Sequence, residues 1–179
     1  MADLTQDEAI ARARVIDVES YDIFLDLTTE PVLSRTEVRF RWLRPGASTF
    51  AELRTQGVRG VTLDGVPLPP PMDGRLRLSR VGGGNQAVLV VEAEAGYSQE
   101  GRGLCRFTDP ADGATYVMAF SYPDCGPELF CCFDQPDLTA TFRFAVARSR
   151  RLGVCGERPA RSARRRFVHV YTGQRDAAV

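Results

Sequence analysis

Apolar and polar residues alternate along several short segments of this chain, and this alternation constrains the fold more than any other feature. Apolar side chains occupy every second position over 21–27 and again over 38–42. A period of two is typical of strands that bury one face. Further strands are predicted over 49–53, 58–63, 75–78, 86–95, 117–120 and 138–146. Since turn-forming residues separate these segments about every ten residues, the sequence predicts an all-β fold, a mostly antiparallel β-sandwich.

A short amphipathic helix is predicted ahead of the first strand, over 3–16. Thr5 is a candidate N-cap, and Glu8 follows three residues later, which together predict a capping box. Asp64-Gly65 predicts a hairpin turn. The glycines of 82–84 predict a turn and not a phosphate loop, because neither a helix nor a P-loop lysine follows them.

Charge divides the chain into two segments of opposite sign. All 23 basic residues are arginines, which points to a GC-rich, actinobacterial genome, and the formal net charge is zero. The segment 148–179 holds nine arginines against Glu157 and Asp176, so the segment 1–147 carries the compensating negative charge. We therefore predict a β-domain over 1–147 and a divergent Arg-rich segment over 148–179. Nucleic acid is not an expected partner, because few aromatic residues accompany these arginines.

The metal-binding residue types are too few and too poorly spaced for a metal site. The five cysteines form no Cys-x-x-Cys pair, and His169 is the single histidine, in a short strand-like run. We predict reduced thiols, no metal and no cofactor, and we interpret His169 as a structural or surface residue. The first 15 residues are charged and lack the apolar core of a secretory signal, and no apolar run approaches the length of a membrane helix. These patterns predict a cytoplasmic protein that does not contact a membrane.

A resemblance to a known family comes from several motifs in order along 4–147. Residues 130–142 read Phe-Cys-Cys-Phe-Asp-Gln-Pro-Asp-Leu-Thr-Ala-Thr-Phe. This segment resembles the Phe-x-Cys-Phe-(Asp/Glu)-Gln-Pro-Asp signature of actinobacterial aminopeptidase N, and the segments 4–28, 44–53 and 101–146 resemble the same proteins. The resemblance implies a β-sandwich that precedes a thermolysin-like catalytic domain. That domain supplies His-Glu-x-x-His and a further glutamate as zinc ligands, a set that a chain with one histidine cannot form. By itself, this chain is therefore not expected to be a working zinc aminopeptidase.

The chain departs from the family pattern in the loop that would face the zinc site. Phe120 stands where the family has a substrate-binding glutamine, and Pro127-Glu128 replaces a pair of arginines. One hypothesis is a stand-alone domain, repurposed to bind and convert an apolar small molecule in a cyclase- or isomerase-type step of bacterial specialised metabolism. Its candidate catalytic residues are Tyr122, Asp124 and Glu128. Its candidate substrate-binding residues are Phe120, Met118, Ser121, Phe130 and Cys125.

The alternative is a non-catalytic remnant or interaction module, in which the same loop is only solvated. A closed pocket beside Phe120 would favour the first hypothesis, and an open surface the second. Uncovered strand edges predict a homodimer or a larger assembly. Cys131 and Cys132 are interpreted as small residues packed at a strand end. Asp134 and Asp137 are interpreted as caps of backbone N–H groups around Pro136.

Overall fold

A computed structural model describes residues 3–80, 82–121, 124–148, 161–163 and 168–173, and it confirms the all-β fold. One helix, α1 (Gln6–Ala13), precedes the strands. The strands are β1 (Ile16–Asp26), β2 (Val32–Trp42), β3 (Ser48–Glu52), β4 (Gly57–Leu63), β5 (Val66–Pro67), β6 (Arg75–Ser79), β7 (Gln86–Ala95), β8 (Tyr97–Ser98), β9 (Gly103–Thr108), β10 (Thr115–Phe120), β11 (Thr141–Ala147), β12 (Arg161–Ala163) and β13 (Val168–Gly173).

Three sheets are formed by the described strands. The largest has eight strands in the order β12-β13-β11-β1-β2-β7-β4-β5, and within it only the pair β1 and β11 is parallel. A smaller sheet has the order β10-β9-β8, and β3 pairs with β6 in a third. The prediction of mostly antiparallel sheets is therefore confirmed.

The core lies on one face of the central strands β1, β2 and β7. Tyr21 lies opposite Val38, which lies opposite Leu89, and all three side chains are buried. Because alternate residues of a strand share a face, one register buries the whole apolar set of each strand at once. Each large apolar side chain buried in this way stabilises the fold by about 2 kcal/mol.

The helix α1 begins where the capping box predicts and ends earlier than predicted. The backbone N–H of Glu8 donates to Thr5 Oγ1 at 3.3 Å, and the N–H of Thr5 donates to Glu8 Oε2 at 3.0 Å. The predicted range of 3–16 is too long, since α1 stops at Ala13 and Ile16 already belongs to β1. Ile16 is buried by pairing as a strand residue opposite Trp42.

A buried ion pair fastens α1 to the sheet. Arg12 is 1% exposed, and its two terminal nitrogens each donate to one carboxylate oxygen of Glu52 at 2.7 Å. The Arg12 guanidinium also lies 4.5 Å from the centre of the Phe50 ring. A charge buried this deeply is tolerated only with such a partner, so the pair fixes the helix at one place on β3.

The last described strands continue the largest sheet beyond residue 147. The strand predicted over 138–146 is observed at Thr141–Ala147, and β13 pairs with it in an antiparallel register that sets Val146 opposite His169. The boundary between the β-domain and an Arg-rich segment at 147 stays a prediction. Most of that segment lies outside the described residues.

Candidate functional site

Residues 130–142, called the signature segment from here on, bond to the backbone at the end of β3. The backbone N–H of Glu52 donates to the Cys132 carbonyl at 2.7 Å, and the N–H of Cys132 returns a bond to the Glu52 carbonyl at 3.1 Å. Cys131 and Cys132 are buried, as predicted. Burial raises the pKa of both thiols, which keeps them protonated and unreactive.

The residues after the two cysteines join this segment to the core. Phe133 packs edge-on against Phe40, with ring centres 5.4 Å apart, and its N–H donates to the Tyr21 hydroxyl at 3.1 Å. Burial raises the pKa of Tyr21 well above its usual range. The hydroxyl therefore stays neutral and acts as a structural acceptor.

Asp134 is placed differently from the prediction. Among the described residues, its carboxylate makes no cap around Pro136, and it lies 3.8 Å from an Arg54 terminal nitrogen instead. Its backbone N–H donates to Glu52 Oε2 at 3.1 Å. Partial burial raises the pKa of Asp134, and the Glu52 carboxylate adds to this effect. The following residue, Gln135, is buried, and its Nε2 donates to the Ala9 carbonyl at 3.0 Å.

The predicted catalytic carboxylates are held together by an arginine. Arg102 donates to Glu128 Oε1 at 2.8 Å and 3.0 Å, and to Asp124 Oδ2 at 3.2 Å. The hydrogen bond from Arg102 lowers the pKa of Asp124. Asp124 is therefore a paired carboxylate, which disfavours proton donation near neutral pH. Tyr122, the third predicted catalytic residue, lies outside the described residues.

The loop that carries these carboxylates is fixed from two further sides. The backbone N–H of Arg54 donates to the Pro127 carbonyl at 2.7 Å, and its guanidinium donates to the Asp124 carbonyl. Gly103 approaches from β9 with φ of +58°, and a Cβ there would lie 3.1 Å from Glu128 Cβ. Glycine is needed at this position for both reasons.

The predicted substrate-binding residues do not share one enclosed pocket. Phe130 and Cys125 are buried, whereas Met118 is 44% exposed and Phe120 is half-buried. Phe130 packs edge-on against Phe144, with ring centres 5.8 Å apart. Ser121 is exposed and lies with Phe130 on the wall of a cleft.

This cleft has a volume of about 900 Å³ and lies beside the signature segment. Its wall includes exposed residues such as Asp3 and Asp73 as well as buried aromatic ones, so it is open on one side. The lining residues include Tyr21, Glu52, Arg54, Ser121, Asp124, Phe130, Cys132, Asp134, Gln135, Leu138, Phe142 and Phe144.

A second candidate surface is the outer face of the hairpin formed by β9 and β10. Phe107 lies opposite Tyr116 and stacks on it, with ring centres 5.3 Å apart. Met118 follows on the same face, and the three side chains are 42–47% exposed. We call these three residues the hairpin face. Sequence analysis missed it, although the absence of any charge from 115–120 was a signal for it.

The described residues contain no cluster of three or more histidine, cysteine, aspartate or glutamate side chains that could hold a metal ion. The one described α-helix has eight residues, and no helix in this part of the chain has the length and apolar content of a membrane span.

Comparison with known proteins decides the family. The chain is 39% identical over 151 residues to aminopeptidase N of Streptomyces lividans, and the match covers 80% of this chain. The chain belongs to the aminopeptidase N family. It spans only 17% of the length of that relative, and it corresponds to the N-terminal β-domain of the family. No family model matches the chain.

Two solved structures of other proteins share the fold. Native yeast LTA4 hydrolase superposes with a TM-score of 0.72 at 15% identity, over 89% of this chain and 27% of the other. Legionella pneumophila aminopeptidase A in complex with aspartic acid superposes with a TM-score of 0.66 at 14% identity, over 90% of this chain and 20% of the other. At such low identity these matches bear on the fold alone.

Proposed function

We propose that this chain acts as a non-catalytic β-domain that docks on the zinc-bearing catalytic domain of an aminopeptidase N. The hairpin face carries the proposal, because it groups three exposed large apolar side chains on one face of a hairpin. Phe107, Tyr116 and Met118 each remain more than two-fifths exposed. Neighbouring apolar side chains left exposed together are typical of an interaction surface.

The backbone of the hairpin supports docking as well. Within the described residues, β10 has β9 as its only strand neighbour. Proteins usually protect a strand edge from pairing with charged residues or proline. The strand Thr115–Phe120 contains neither. A partner can therefore cover the apolar face and extend the sheet at the same place.

The carboxylates near the hairpin favour a structural role over acid–base chemistry. Arg102 bridges Asp124 and Glu128, and the pKa of Asp124 is lowered by that contact. General acid–base catalysis near neutral pH works best with groups whose pKa lies near that pH. These two residues are better suited to shape the loop that a partner meets.

A complementation experiment tests the docking function. The 179-residue chain is mixed with Streptomyces lividans aminopeptidase N from which the matching N-terminal region has been deleted. We call this shortened protein the catalytic fragment. We expect the two to co-elute in size-exclusion chromatography, since the deletion removes the region that this chain resembles. Hydrolysis of an aminoacyl anilide by the mixture, and by neither component alone, would give a second readout.

Substitutions locate the contact. Met118→Ser together with Tyr116→Ser should raise the dissociation constant of the complex by at least about tenfold and so reduce co-elution. The reason is that the binding energy of an interface concentrates in a few buried aromatic and apolar side chains. Val66→Ser is the matched control, since Val66 is 50% exposed and lies on the distant strand β5. Absence of co-elution, or an equal loss with the control, would rule out docking through this face.

A second use of the same edge is self-association. Pairing of β10 with β10 of another copy would bring no like charges together, and it would produce the homodimer that the sequence predicts. Light scattering of the isolated chain distinguishes the two uses. A dimer that Met118→Ser dissociates, with no binding to the catalytic fragment, would favour a second copy as the partner.

A second candidate function is the binding of an apolar small molecule in the cleft, although the open side of the cleft favours the interaction module. Ser121, Asp124 and Phe130 all line it, which supports this proposal. A cyclase- or isomerase-type step is the catalytic form of this proposal. Incubation with polyene or epoxide substrates, followed by mass spectrometry and NMR of the products, tests it. Conversion that survives both Asp124→Asn and Glu128→Gln would exclude these carboxylates as the catalysts.

A further inference from the structure

We propose that Asp73 is a modification site, at which the main chain rearranges to isoaspartate through a cyclic imide with Gly74. The rearrangement needs water and no enzyme, cofactor or oxidant. It does not depend on the docking function, because Asp73 lies between β5 and β6 and the hairpin face lies on β9 and β10.

The chemistry belongs to the dipeptide Asp-Gly. The glycine nitrogen attacks the side-chain carboxyl carbon of the aspartate, a new N–C bond forms, and one water molecule leaves. A second water molecule then opens the imide. Opening at the side-chain carbonyl restores aspartate, whereas opening at the main-chain carbonyl breaks the original peptide bond and leaves the chain running through the side chain. Glycine favours ring closure, because it has no Cβ to obstruct its nitrogen.

The chain contains three Asp-Gly steps, and two of them fold alike. The φ values are +51° and +79° in Asp64-Gly65, and +52° and +78° in Asp73-Gly74. Positive φ at both central residues is typical of a type I′ hairpin turn. Both aspartates are exposed. The two steps therefore have the same dipeptide and nearly the same φ values, and they differ in what surrounds them.

The difference lies at the carboxylate. Oδ1 of Asp64 accepts the backbone N–H of Val88 at 2.7 Å, which ties this side chain to β7. Among the described residues, the Asp73 carboxylate makes no hydrogen bond or ion pair, and the N–H of Gly74 makes no hydrogen bond. Ring closure requires the carboxyl carbon and the nitrogen to turn toward each other. At Asp73 no hydrogen bond of either reacting group has to break first.

The third step, Asp112-Gly113, is held at both reacting groups. The N–H of Ala114 donates to Asp112 Oδ1 at 2.8 Å, and the Tyr116 hydroxyl donates to Oδ2 at 2.7 Å. The N–H of Gly113 donates to the Asp109 carbonyl at 2.8 Å. The hydrogen bond from Ala114 lowers the pKa of Asp112, and an ionised carboxylate is a poor target for a nucleophile. We therefore expect this step to react slowest.

The rearrangement would lengthen a turn that closes over two residues. The N–H groups of Met72 and Arg75 each donate to the other residue's carbonyl, at 3.0 Å and 2.9 Å. Isoaspartate adds the Asp73 Cβ to the main chain between them, so the two bonds no longer fit a two-residue turn. The Arg75 guanidinium donates to both carboxylate oxygens of Glu8, at 2.5 Å and 3.0 Å. Modification is therefore expected to loosen the contact between this turn and α1.

The test incubates the full 179-residue chain for weeks in mildly acidic buffer and maps the products. Trypsin releases residues 60–75 as one peptide that contains both similar turns, because arginines stand at 59 and 75. Electron-transfer fragmentation distinguishes isoaspartate from aspartate at each position. Isoaspartate should accumulate at Asp73 at least about threefold faster than at Asp64, whose carboxylate must first break a hydrogen bond. Accumulation at Asp112 should be slower still.

Two controls separate the fold from the local sequence. In urea the rates at Asp64 and Asp73 should converge, since the bond from Val88 is lost with the fold. Asp73→Glu keeps the charge but cannot close the five-membered ring, so the product at this position should disappear while Asp64 reacts as before. Hydrogen exchange in α1 should rise on incubation of the unaltered chain and stay constant in this variant.

Three results would overturn the proposal. They are equal accumulation at Asp73 and Asp64, faster accumulation at Asp112 than at Asp73, and a difference between the two similar turns that persists in urea. The comparison of the two turns needs no variant, so it decides the matter even if Asp73→Glu fails to fold. Co-elution with the catalytic fragment is measured on freshly prepared chain, so failure of the docking function is a separate result.

Discussion

Strands β7 and β10 present apolar side chains to very different surroundings. In β7, Leu89 is 0% exposed, because β2 and β4 flank the strand and the side chain belongs to the hydrophobic core. In β10, Met118 is 44% exposed, and the strand has one neighbour among the described residues. An apolar side chain that stays exposed to water adds little to the stability of the domain, because hydrophobic stabilisation scales with the apolar area that folding buries. The difference separates residues that hold the fold from residues that are available to a partner.

The largest expected effect comes from the ion pair that fastens α1 to the buried region. Arg12→Ala should lower the free energy of unfolding by about 4 kcal/mol, because it leaves the Glu52 carboxylate buried without its partner. Urea denaturation followed by circular dichroism measures it. Adding Glu52→Gln should recover part of the loss, since the uncompensated charge is then removed. A loss below about 1 kcal/mol would mean that water reaches this pair.

The comparison of β7 with β10 is tested by one truncation in each strand. Leu89→Ala should lower the free energy of unfolding by about 3 kcal/mol, the usual cost of a cavity in a packed core. Met118→Ala should change it by less than about 0.5 kcal/mol, as exposed substitutions do. Both values come from the same urea titration. Similar losses at the two positions would show that the hairpin face is covered in solution.

The prediction of strands succeeds where both neighbours of a strand share its pattern. The range predicted for β7, 86–95, is the range observed, because alternation alone decides which of its side chains are buried. The helix was predicted too long at its C-terminal end, since Val15 and Ile16 fit both a helix face and a strand. The local pattern does not distinguish a helix from a strand at these two residues. The pairing of Ile16 with Trp42 across β1 and β2 decides for the strand.

The candidate site was harder to predict than the fold. Asp124 and Glu128 are typical acid–base residues by type, and their partner Arg102 lies 22 and 26 residues away in the chain. The charge of a carboxylate depends on such distant groups. The Phe107–Tyr116 pair was also missed. The alternation of a strand shows which residues share a face, and it does not show whether another layer of the protein packs on that face.

A smaller and more local effect is expected at the loop that Arg102 fixes. Arg102→Gln should accelerate amide hydrogen exchange in 125–129, because the bridge between Asp124 and Glu128 is lost. Global unfolding should change little, since all three side chains are partly solvated. Hydrogen-exchange mass spectrometry measures the loop, and exchange in β7 serves as the internal reference. Unchanged exchange in the loop would show that the Arg54 contacts suffice to hold it.

The smallest effect is a pH dependence at the helix cap. Arg75 and the Thr5 backbone lower the pKa of Glu8 from 4.5 to about 2. Because the folded pKa is the lower one, the stabilisation is fully present above pH 4.5 and is lost as the pH falls toward 2. Glu8→Gln should therefore destabilise the chain at pH 6 by less than about 1 kcal/mol. Melting temperatures of the two proteins should converge near pH 2, and a constant gap would contradict this explanation.

The parallel pairing of β1 with β11 has a consequence for synthesis of the chain on the ribosome. Asp22 and Arg143, which pair across these strands, lie 121 residues apart. While the intervening residues are being made, β2 can cover one side of β1 and nothing yet covers the other. An open strand edge recruits other strands. A nascent chain that stalls before residue 141 should therefore be a preferred client of ribosome-associated chaperones.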